Sequence, residues 1–123
     1  MAKPTNVIVW FDLPTLDLER AKKFYEQVLA DELRLDESTG SEILMFPMEG
    51  QMGVGGDLAM PDPEFKPGGA MVYFDVSGRL DEAIEQAELA GGKLIRPKFF
   101  MEMAGWIAVI EDTEGNRVGL WSK

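Results

Sequence analysis

Asp12 is the residue of this chain best placed to do chemistry. It lies in an alternating stretch, residues 7–13, that puts Val7, Val9 and Phe11 on one face of a strand and Ile8, Trp10 and Asp12 on the other. An inward carboxylate flanked by aromatics is costly to ionise without a partner. Asp12 is therefore a candidate catalytic general base or the counter-charge of a ligand cation; its structural alternative is an ion pair with Arg96 or Arg117. The strand is written twice, as Trp10-Phe-Asp-Leu13 and as Tyr73-Phe-Asp-Val76, each copy leading into an amphipathic helix, so the chain reads as two copies of one unit. The candidate ligand-binding residues are Trp10, Phe46, Met71, Tyr73, Trp106, Gly119 and Trp121. Trp and Tyr suit that role because each presents a large apolar face with one polar handle, and the competing reading is that they only fill the core.

What is missing narrows the chemistry further. The chain has no histidine and no cysteine, so imidazole and thiolate ligation and nucleophilic cysteine chemistry are excluded. A net charge of −10 repels polyphosphate and leaves nucleic acid an unexpected partner, whereas the same field concentrates cations. Acidity also serves plain solubility. No apolar run reaches the roughly 20 residues that span a bilayer, so no membrane partner is expected. The opening Met1-Ala-Lys-Pro-Thr-Asn6 has no apolar signal core, which together with the absence of cysteine leads us to expect a cytoplasmic protein. The glycines at 53, 55 and 56 and at 68 and 69 read as bulge and turn residues, because neither a lysine nor a helix start follows them as a phosphate loop requires.

The elements that position these residues follow from periodicity. Residues 7–13 form a strand ended by Pro14, and Asp17 caps a helix over residues 17–30 with Leu18, Ala21, Tyr25 and Val28 on its buried face. A polar turn at 36–40 precedes a strand at 42–47 and an irregular glycine-rich strand at 52–60. Residues 61–69, with three prolines and two glycines, read as a linker between a first unit at 5–60 and a second at 70–122 of one domain spanning 1–123. The second unit repeats the order: a strand at 71–76, a helix over 77–90 stopped by Gly91-Gly92, a short strand at 93–97, and a hairpin of 106–111 with 117–122 around Asp112-Thr-Glu-Gly-Asn116. Residues 99–103 fall in a loop as Phe-Phe-Met-Glu-Met, a lid or a dimer contact. The eight methionines either make an adaptable binding surface or fill core gaps.

Four segments together resemble the vicinal oxygen chelate superfamily of glyoxalases, bleomycin-resistance proteins and dioxygenases: Asp17-Leu-Glu-Arg-Ala-Lys-Lys-Phe-Tyr25, Val72-Tyr-Phe-Asp-Val76, Ala90-Gly-Gly-Lys93, and Glu111-Asp-Thr-Glu-Gly-Asn-Arg-Val-Gly-Leu-Trp121. The resemblance implies an α+β fold of two tandem βαβββ units whose curved mixed sheets form a cup, and a homodimer. In metal-using relatives an ion in the cup is held by His, Gln or Glu; the matching positions here are Trp10, Met71, Gly119 and either Gly53 or Gly55. None offers a hard donor, so no metal and no other cofactor is expected, and Asp12, Asp57 and Asp75 would hold Mg²⁺ or Ca²⁺ only weakly. The strand face that carries ligands in relatives puts Trp10, Met71, Tyr73, Gly119 and Trp121 in the cup. Two functions follow: binding or sequestering a small amphipathic molecule, cationic or neutral, in an aromatic cup, or a metal-free lyase or isomerase-like activity with Asp12 as general base. A third, duller reading is an interaction module whose cup is filled by side chains.

Overall fold

The computed structural model describes residues 10–38, 40–49, 54–60, 67–102 and 104–123. In chain order they form β1 (Trp10–Pro14), α1 (Leu18–Leu29), β2 (Arg34–Asp36), β3 (Ile43–Met45), β4 (Gly55–Ala59), β5 (Val72–Asp75), α2 (Leu80–Leu89), β6 (Lys93–Met101), β7 (Gly105–Glu111) and β8 (Arg117–Ser122). Each unit is βαβββ, and each makes its own four-stranded mixed sheet, ordered β1-β4-β3-β2 and β5-β8-β7-β6. The first strand of each unit runs parallel to the last, Trp10 opposite Gly55 and Tyr73 opposite Gly119. The repeat in the sequence is thus a repeat in space. Positions 7–9, Gly53, most of the linker at 61–66 and Met103 lie outside the described residues.

Helix α1 starts where its cap dictates, with the Asp17 carboxylate accepting the Arg20 N–H at 3.1 Å. It buries Ala21, Phe24, Tyr25 and Val28. Helix α2 starts at Leu80 rather than near Ser77, because the preceding residues make a turn. Gly78 takes φ +82° there, and Asp75 accepts the Ser77 N–H at 2.9 Å. The helix closes on Gly91 at φ +101°, as its glycine pair promised.

Two strand assignments need correcting. Strand β2 was hidden because its three residues, Arg34, Leu35 and Asp36, are too few to show a period and bury little. Strand β6 continues through Phe99 to Met101, so most of the expected apolar loop is a sheet edge: Phe99 pairs with Ile107 and Phe100 with Trp106. Pro97, the last residue of the expected short strand, falls inside the register shift between Arg96 and Phe99, where an edge strand tolerates a missing N–H.

Among the described residues no ladder joins the two sheets, whose outer strands include β1 and β5. Side chains join them instead. Phe46 and Phe74 approach to 5.1 Å between centroids, with Phe11 and Tyr25 against them. The turn at 112–116 makes the polar half of the joint. Asp112 accepts the Tyr25 hydroxyl at 2.6 Å, and Asn116 donates its amide to the Pro14 carbonyl at 2.8 Å. Buried Glu114 takes the Leu16 and Asp17 N–H groups at 2.8 and 2.9 Å and a two-point contact from Arg20. Burial by itself would raise the Glu114 carboxyl, yet Arg20, Thr113 and the two backbone donors outweigh it and hold the group below its ordinary value. Among the described residues no helix is long and apolar enough to cross a membrane.

Candidate functional site

A cleft of about 1730 Å³ opens between the units, bordered by β1, the ends of β3 and β4, the segment after α1, and β5. Its walls are made by what the paired strands leave room for. Trp10 leans over Gly55, where an added Cβ would come within 2.9 Å of the indole ring and 2.6 Å of the Met48 sulfur. Tyr73 does the same over Gly119, where a Cβ would strike the phenol ring. Each unit thus sets an aromatic of its first strand over a glycine of its last. Trp10 is 40% and Tyr73 51% exposed, both toward solvent-accessible space, and both border the cleft with Met71. Its described charged lining is Asp31, Glu32, Glu49 and Asp75 against Arg34 alone. An aromatic wall with excess negative charge favours organic cations.

Beside the cleft lies a pair of carboxyl groups. Register sets Asp12 on β1 directly opposite Asp57 on β4, with Met45 on the other flank. Asp57 is 5% exposed. Its Oδ2 accepts the Trp10 indole N–H at 3.1 Å, and its Oδ1 has no partner. Burial first, then the neighbouring Asp12 carboxyl, push Asp57 up from 3.8 to about 6, against the opposing pull of the Trp10 N–H. The alternative for Asp12, an ion pair, does not form: Arg96 stacks on the Phe99 ring at 3.6 Å, and Arg117 stands opposite Glu111 at the far end of the hairpin. Asp12 faces a second acid rather than a base.

The positions that bear ligands in metal-using relatives do not fit a divalent ion. Trp10 and Met71 supply no hard donor, and the spaces above Gly55 and Gly119 that a glutamate would need are taken by aromatic rings. Among the described residues no three His, Cys, Asp or Glu side chains cluster as a metal would require.

The other candidates divide. Phe46 borders the cleft but is 7% exposed, its ring committed to Phe11, Tyr25 and Phe74. Gly119 is buried, and half-buried Trp121 gives its indole N–H to the Ala104 carbonyl at 2.8 Å; neither is among the residues bordering the cleft. Trp106 pairs with Ser122 in the ladder, in phase with Ala108 and Ile110, which turns it toward α2. It borders a separate hollow of about 320 Å³ with Arg79, Asp81 and Lys98. The sequence offers Asp57 only as a weak metal ligand. The signal that could have raised it was its alignment with Asp12 across the parallel pair, which needs the register to be known.

Residues 7–120 match the family model described as Glyoxalase/Bleomycin resistance protein/Dioxygenase superfamily. A glyoxalase/bleomycin resistance protein from Albidiferax ferrireducens superposes with a TM-score of 0.78 at 18% identity, covering 96% of this chain and 99% of that one. A hypothetical protein from S. aureus gives 0.70 at 15% identity over 98% and 96% of the two chains. A glyoxalase I mutant from Zea mays gives 0.70 at 24% identity, with 93% of this chain covering 45% of that one. Identities this low speak for the fold alone. No curated protein matches the sequence.

Proposed function

Because the chain belongs to the Glyoxalase/Bleomycin resistance protein/Dioxygenase superfamily, we propose that it binds or sequesters a small amphipathic organic cation in the cytoplasm, in an aromatic cup built on Trp10 and Tyr73. One observation carries this reading: two exposed aromatics from equivalent positions of the two units border a single cleft whose described charges are four acids and one arginine. Large exposed aromatics cost solubility unless they have something to cover them. The homodimer implied by the resemblance is part of the proposal, and light scattering reads it directly.

A thermal-shift panel of cationic, neutral and anionic aromatics tests the binding. Cations are expected to stabilise the protein, and Trp10→Ala and Tyr73→Ala each to weaken the best of them about tenfold, the size of a desolvated cation–aromatic contact. Zn²⁺, Ni²⁺, Fe²⁺ and Mn²⁺ are expected to leave the melting temperature unmoved, whereas a working site at 100 times its Kd would add about 2.7 kcal/mol. Equal stabilisation by neutral or anionic compounds would sink the proposal.

The Asp12–Asp57 contact favours a second reading, a metal-free lyase or isomerase-like enzyme. Asp12 then acts as general base and Asp57 as the neighbour that holds the proton. That reading requires a bound compound to be converted, followed by mass spectrometry, and the conversion to stop in Asp12→Asn while binding persists.

A further inference from the structure

We infer that Asp12 and Asp57 together form the recognition point for a protonated amine, whose N–H groups bond to the exposed Asp12 and to the unpaired Oδ1 of Asp57 while its carbon skeleton lies against Trp10. The inference rests on the cleft-binding reading and names the functional group that the cleft takes. Its first support is a buried acceptor to which the rest of the fold gives no donor: Asp57 is 5% exposed, one oxygen holds the Trp10 N–H, and the other is left with only the Asp12 carboxyl as a neighbour. Buried carboxylate oxygens left open are rare and costly. Its second is position. Trp10 borders the cleft on its ring side and ends on Asp57 at its N–H, and Met45, the ladder partner of Asp57, borders the cleft too. Asp12 is the exposed member and forms the open side of the pair.

The fold itself does not ask for two acids here. In the second unit the counterpart of Asp12 is Asp75, which accepts the Ser77 N–H and so has a local use in the turn. The residue opposite Asp75 is Trp121, not an acid. A divalent metal is the poorer occupant, because Mg²⁺ or Ca²⁺ wants six or more oxygens and the flanking Trp10 and Met45 supply none. An amine asks for less: two or three acceptors and an apolar flank. Asp12 is the titratable group that faces Asp57 among the described residues, and it raises the Asp57 carboxyl. Near pH 6 the empty site therefore still holds a proton on Asp57 in part of the molecules. The bound amine puts its own N–H in that place, and the Asp57 proton leaves to solvent.

Three probes of one shape test this: 2-phenylethylammonium, its neutral alcohol, and its N-trimethyl analogue, which keeps the charge but has no N–H. Titrations followed by tryptophan fluorescence at pH 7.5 are expected to show the primary ammonium binding about tenfold tighter than either analogue. Asp57→Asn and Asp12→Asn are each expected to erase that margin, with the trimethyl compound weakened less than the primary ammonium; their circular dichroism melts establish that they fold. Calorimetry near pH 6 in buffers of different ionisation enthalpy is expected to register proton release with the primary ammonium only. The inference is overturned if the primary and trimethyl compounds bind alike, if the margin survives in both variants, or if millimolar Mg²⁺ displaces the amine. In those cases binding of the trimethyl compound leaves the cleft reading standing, and failure of all three probes removes both.

Discussion

Asp112→Ala is expected to lower the stability of this protein by about 3–5 kcal/mol, a loss of roughly 10 °C or more in melting temperature for a domain of this size. The buried Asp112 carboxylate accepts four hydrogen bonds: the Tyr25 hydroxyl at 2.6 Å, the Glu114 N–H at 2.9 Å, and the Asn116 N–H and side-chain amide at 2.8 and 2.9 Å. Alanine takes the acceptor away from all four, and of these the Asn116 amide keeps a second bond, to the Pro14 carbonyl. The Tyr25 side chain is fully enclosed, and burial followed by the Asp112 charge drives its hydroxyl well above the ordinary tyrosine value, so the phenol stays neutral and needs its acceptor. The loss also spreads, because Asn116 and Glu114 tie the turn to β1 and to the start of α1. Tyr25→Phe, which removes one donor and keeps the packing, should cost only about 1 kcal/mol. Urea melts of the two variants decide the matter, and a loss below 1 kcal/mol for Asp112→Ala would show that the units do not depend on this joint.

That joint was legible in the sequence as a motif but not as a mechanism. The turn at 112–116 was read for its glycine and asparagine, which suit a hairpin. What the three polar side chains do becomes visible only when Tyr25 and Asp112, far apart in the chain, are brought within 2.6 Å. Elements with a strong period, such as α1 and the hairpin of β7 and β8, were readable because burial repeats at a fixed interval. Strand β2 was not, having three residues and no buried face.

Faces of the sheets were readable in the first strands of both units, whereas for Trp106 the alternation left the cup and the core equally open, and the structure turns it toward α2. The aromatic wall itself was half legible. Trp10 and Tyr73 stood out as repeats of one another; that each requires a glycine across the ladder is a statement about pairing, which a single sequence does not contain. The same limit hid the most telling group, Asp57, whose meaning depends wholly on the acid opposite it.

Asp57→Asn is expected to make the protein more stable above neutral pH, by about 1–2 kcal/mol, and the direction follows from linkage. The folded state raises this carboxyl from 3.8 to about 6. Below the unfolded value both states are protonated and burying Asp57 costs no charge. As pH rises toward 6 the unfolded chain ionises while the folded one still holds its proton, and above 6 the folded protein carries an ionised, buried acid beside Asp12. A shift of this size corresponds to at most about 3 kcal/mol, and the exposed Asp12 lets solvent screen part of it. Asparagine keeps the shape, retains an acceptor for the Trp10 N–H, and offers an amide donor to Asp12. The stability difference between variant and wild type should therefore be near zero at pH 4, open between pH 4 and 6, and level off above. Melts across that range read it directly, and a variant less stable than wild type at pH 8 would mean that the fold has its own use for the charge. The expected sign is the one a ligand site leaves behind: an unneutralised acid pair strains the empty protein, and a bound cation relieves the strain.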